Sequence, residues 1–78
     1  MDDTIERNLG PQPIAEILKR HGLSAHDLVS ASEVQMTHKM VARAAKGRRL
    51  TRNTQTIVCN ALNRAAGASY TLADLFTY

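Results

Sequence analysis

The sequence predicts an all-α domain of five short helices, and three observations carry that expectation. Apolar residues recur at helical spacing from Pro13 onward, and no segment alternates in the manner of a strand. Gly22, Gly47 and Gly67 each close a periodic stretch, where a left-handed helix terminator belongs. Serine or threonine stands ahead of several of these stretches, where a hydroxyl can satisfy the first free amides. The chain is 78 residues long, room for one domain. A chain of this size buries only about 60% of its unfolded surface, so the core must be built from local contacts.

Residues 1–12, ending in Gly10-Pro11-Gln12, show no apolar period and are expected to form a flexible N-terminal arm, with the folded domain spanning 13–78. The first helix opens at Pro13, whose missing amide hydrogen costs nothing at a first-turn position, and buries Ile14, Ile17 and Leu18. Gly22 stops it. Ser24-Ala25-His26-Asp27 forms a capping box that opens a second helix burying Ala25, Leu28 and Val29, with the following turn expected within Ser30–Glu33. Thr37 caps a third helix running to about Lys46, closed by Gly47. After the basic connection Arg48-Arg49-Leu50, either Thr51 or Asn53 caps a fourth helix carrying Ile57, Val58, Ala61, Leu62 and Ala65. Thr71-Leu72-Ala73-Asp74 is a second capping box, opening a short last helix with Leu72, Leu75 and Phe76.

The formal net charge of +3 conceals a division of charge along the chain. Residues 1–33 carry a net −3, residues 34–66 a net +7 without a single acid, and residues 67–78 a net −1. The natural counterpart of such a directed charge is a polyanion. At about 100° per residue, Lys39, Arg43 and Lys46 fall within an arc of about 60° on the third helix, opposite Val41, Ala44 and Ala45. A helix with one apolar face and one unneutralised cationic face suits a phosphate-lined groove.

Other chemistries find little support. A single cysteine excludes an internal disulfide, and no apolar run approaches the ~18 residues of a membrane span. The acidic start, Met1-Asp2-Asp3-Thr4, is unlike a signal peptide, so a soluble, cytoplasmic protein is expected. Aromatic residues make up 4% of the chain, too few for the stacking platforms of single-strand binders. His21, His26, His38 and Cys59 match no zinc-ligand spacing, and Cys59 reads as a packing residue. Lys46-Gly47-Arg48 lacks the upstream glycine of a phosphate-binding loop, and the scattered acids offer no catalytic pair. Neither an enzyme nor a cofactor or metal is therefore expected.

The stretch from Met36 to Arg49, MTHKMVARAAKGRR, resembles the recognition helix and exit of lambda-repressor/Cro-type helix-turn-helix proteins. The following LTRNTQTIVCNALN is similar to the fourth helix of Cro-type and lac-repressor-type domains, and Tyr70–Phe76 resembles the usual Cro-type ending. Gly22-Leu23-Ser24 is similar to the entry into the second helix. Two departures stand out: Ala25 replaces the usual Gln, and the turn between helices two and three is about two residues longer and lacks its glycine.

The resemblance implies a lambda-repressor-like fold with the helix-turn-helix in helices two and three. It further implies sequence-specific binding of double-stranded DNA by a prokaryotic or phage transcriptional regulator, nucleoid-associated in the cytoplasm, with Thr37–Lys46 as recognition helix. Thr37, His38, Lys39, Ala42 and Arg43 would then face base edges, while Lys46, Arg48, Arg49, Arg52 and Asn53 would hold phosphates. Many relatives are homodimers; either the Tyr70–Tyr78 segment or the N-terminal arm is the candidate contact. Two other functions suit the same helices. One is a protein-interaction module of antitoxin or anti-repressor kind, which should expose an apolar patch; the other is a non-specific DNA binder.

Overall fold

Capping side chains and glycines set nearly every helix boundary. The computed structural model describes residues 12–77. Helix α1, Pro13–His21, begins at its proline and ends at Gly22, whose φ of 67° puts it in the left-handed region. Helix α2, Ala25–Ala31, opens with the expected capping box: Ser24 Oγ accepts from the Asp27 amide, and the Asp27 carboxylate accepts from the Ser24 amide at 2.7 Å. Thr37 Oγ1 accepts from the Met40 amide at 3.2 Å and opens α3, His38–Lys46, which closes on Gly47. Thr51, and not Asn53, caps α4, Arg52–Ala66, by accepting from the Thr54 amide at 3.2 Å. A second capping box, Thr71 with Asp74, opens the single turn α5, Leu72–Leu75. Among the described residues the elements are five helices and no strand, and no helix is long and apolar enough to cross a membrane.

The connection between α2 and α3 differs from expectation. Helix α2 continues through Ser30 and Ala31, and the link is Ser32–Thr37. Ser32 turns the chain, its Oγ donating to the Val34 carbonyl at 2.7 Å and accepting from the Val34 amide. Side-chain bonding of this local kind offers the backbone an alternative to another helical turn.

Helix α4 is the spine, packed by α2, α3 and α5, while α1 closes the other side against α3 and α5. Ile14, Leu28, Val58, Leu62 and Leu75 are sealed from solvent, with Met36, Val41, Ala44, Leu50 and Phe76 completing the core. Of the residues expected inside, Ala25, Val29, Ile57, Ala65 and Leu72 are only half-buried at its margin. Cys59 is buried, and burial pushes its thiol up, as suits a packing residue; its S–H donates to the Tyr70 carbonyl at 3.3 Å. Asn63 holds both backbone groups of Tyr70, at 2.8 and 3.0 Å, and so fixes the loop before α5.

Residues 1–11 of the expected arm lie outside the described residues. Gln12, its expected last residue, belongs to the folded domain. It is 3% exposed, and its Oε1 accepts from the amide and hydroxyl of Thr77 at 2.7 and 2.9 Å.

Two measurements check this architecture. Leu62→Ala should cost about 2–5 kcal/mol by urea denaturation, since it opens a cavity in the middle of the spine. The second concerns acid. Backbone hydrogen bonds from Ser24 and Thr71 hold the Asp27 and Asp74 carboxyls below their ordinary value. A lowered folded-state pKa means stability that is present above the unfolded value and lost as pH falls through the folded one. The melting temperature should therefore drop below about pH 4, and Asp27→Asn with Asp74→Asn should lower it at neutral pH while flattening that acid dependence.

Candidate nucleic-acid interface

The amphipathic division of α3 aims its charges. Val41 and Ala44 are buried against the core, so Lys39, Ala42, Arg43 and Lys46 are turned to solvent on the opposite face. Gly47, at φ 85°, lets the chain double back; the Arg48 amide donates to the Arg43 carbonyl at 3.0 Å and the next two side chains emerge beside the helix they have just left. Leu50 then plunges into the core, and Gln55 Nε2 donates to its carbonyl at 3.0 Å, tying the basic connection to α4.

Two adjoining depressions result. One, of about 390 Å³, is lined by Arg43, Arg48, Arg49, Leu50 and Thr51. The other, of about 180 Å³, is lined by Lys39, Ala42, Arg43, Lys46 and Arg48. They share Arg43 and Arg48, so the cations form one continuous surface, and among the described residues no carboxylate lines either depression. Among the described residues, no ion pair engages Lys39, Arg43, Lys46 or Arg49. The surface can receive anionic groups through charge-assisted hydrogen bonds from its lysine and arginine side chains.

Not every residue expected at the site joins this surface. Thr37 is exposed at the head of α3, but its Oγ1 is already an acceptor in the cap, which leaves its O–H to donate. His38 is exposed, and its ring lies against that of His26 from α2, with centroids 5.8 Å apart and planes 18° from parallel. Arg52 lines a separate depression with Gln55, Leu72, Ala73, Phe76 and Thr77, toward α5. Asn53 is exposed on the first turn of α4 and lines neither cationic depression.

Arg64 is diverted from the cationic surface altogether. Its Nε donates to the Ala31 carbonyl at 2.9 Å and its Nη1 lies 3.1 Å from Glu33 Oε2. It thereby closes the C-terminus of α2 and holds the start of the α2–α3 link against α4. Sequence reasoning assigned Thr51 only a capping role and gave His26 none. The hydroxyl cap carried a signal for the first; for the second, nothing in the spacing shows that two histidines on different helices will meet.

No group of three or more His, Cys, Asp or Glu side chains among the described residues is arranged to hold a metal ion. No protein-family model matches the chain, and neither a curated protein nor a solved structure is significantly similar to it.

Removing the Arg64 contacts should loosen the link without touching the cations. Arg64→Ala is expected to cost about 1 kcal/mol, most of it from the bond to the Ala31 carbonyl, because an exposed ion pair such as that with Glu33 contributes little. Urea denaturation of Arg64→Ala beside Glu33→Ala separates the two contributions; equal losses would contradict this division.

Proposed function

We propose that this protein binds duplex DNA sequence-specifically as a lambda-repressor/Cro-type helix-turn-helix domain, with α2 and α3 as the motif and α3 in the major groove. The observation that carries the reading is the continuous cationic surface formed by Lys39, Arg43, Lys46, Arg48 and Arg49 opposite the buried face of α3. A major groove about 12 Å wide admits a helix presented in this way. Arg43, shared by both depressions, is the residue best suited to donate in bidentate fashion to guanine O6 and N7, with Lys39 beside it. Arg48, Arg49 and Lys46 would then grip the phosphates flanking the groove. Such contacts set register and orientation without reading sequence. The first-turn amides of α4, next to Thr51, add a favourable dipole for a phosphate seated beside Arg49.

A protein-interaction module is less well supported. Val34, at 55%, is the large apolar side chain left exposed among the described residues, and one such residue is ordinary for a monomer's surface. On the DNA reading, the protein acts as a regulator of transcription in a prokaryote or phage, and a dimer would place two copies of α3 about one helical turn apart.

Selection of bound sequences from a random duplex pool, followed by a salt titration of the winner, tests the proposal. A defined consensus is expected, with affinity falling steeply as salt rises. Arg43→Ala should cost about 1–3 kcal/mol and relax the preference at its base pair, whereas Arg49→Ala should weaken all duplexes alike and reduce the salt slope by about one. A pool without enrichment but with a steep salt slope would mean non-specific binding; no retained duplex would remove the DNA reading.

A further inference from the structure

The stack of His26 on His38 joins the first turns of α2 and α3 on the solvent side. Both rings are exposed, so the contact is not part of the apolar core. Ser30 Oγ lies 3.5 Å from His26 Nε2, a long contact one turn further along α2. The nearest carboxylate in sequence, Asp27, is committed to the capping box with Ser24. An isolated histidine at the first position of α3 would sample several rotamers. One whose ring lies offset and nearly parallel to a second imidazole has fewer orientations open to it, and the edge it presents carries its ring nitrogens.

We propose that His26 is a positioning residue of the DNA-binding face. It holds the His38 ring so that an edge N–H reads a purine N7 at the N-terminal end of α3. The inference rests on the reading of α3 as the recognition helix and adds to it a residue on α2. The longer α2–α3 link gives the pair its importance. Arg64 ties the α2 end of that link to α4, and the imidazole stack ties its α3 end back to α2.

The test uses the full chain and the duplex that wins the selection, with all four base pairs placed in turn at the position most sensitive to His38→Ala. Fluorescence anisotropy at fixed salt and pH gives the affinities. The parent should prefer one base pair by about fivefold, the scale of a single hydrogen bond. His26→Ala should reduce that preference below about twofold with an unchanged melting temperature. His26→Phe, which keeps a ring to stack on, should restore it, and the His26→Ala, His38→Ala double variant should lose no more than either single one. Uniform weakening of all four duplexes by His26→Ala, an intact preference in that variant, or no position sensitive to His38→Ala would overturn the proposal while leaving the recognition helix in place. A parent that discriminates no duplex would overturn both.

Discussion

Leu28, Val58 and Leu62 are sealed from solvent in the core where α2 packs on α4. Burying each such aliphatic side chain is worth about 1.5–3 kcal/mol, against about 1 kcal/mol for the Arg64 hydrogen bond at the edge of the same interface. Apolar burial therefore holds α2 on the spine, and the guanidinium sets where α2 stops. Helix α3 depends on both partners. Its buried face offers only Val41 and the methyl of Ala44, which lets it lie close to α1, α2 and α4 at once. Tilt α2 on α4 and α3 must move with it, carrying Lys39, Arg43 and Lys46 away from Arg48 and Arg49.

The disposition of the carboxylates is the counterpart of the cationic surface. Asp27 and Asp74 accept from backbone amides in capping boxes, Glu33 faces Arg64, and Glu16 stands in the first turn of α1. Those are the acids of the described residues, and none lines the surface around α3. Arg43 and Arg49 line one depression with no carboxylate of the described residues between them, so their like charges repel. At physiological ionic strength the Debye length is about 8 Å, so neighbours in one depression feel each other while the rest of the chain is largely screened. On the proposed reading, a phosphate seated between them would relieve that repulsion.

Local signals were legible in the sequence, and contacts across the fold were not. Thr37, Gly47, Gly22 and both capping boxes act within four residues of themselves, so their spacing states their role before any folding is considered. The opposed faces of α3 follow from helical geometry alone. Arg64 looked like one more cation of a basic half-chain, yet its partners stand more than thirty residues away, brought close only by the packing of α2 on α4. Arg52 follows the basic connection after the cap Thr51 but lines the depression toward α5, a direction that the packing of α4 on α5 decides. The His26–His38 stack and the burial of Gln12 have the same character: each needs two elements in place before either residue has a partner.

The bond between Gln12 and Thr77 makes the two ends of the described domain a single point of departure. Thr77 also lines the depression that Arg52 shares with α5, apart from the two cationic depressions. Two ends that leave from one place are two handles on the same bond: a load on either is carried by the Gln12 side-chain carbonyl oxygen and the Thr77 amide before it reaches any helix.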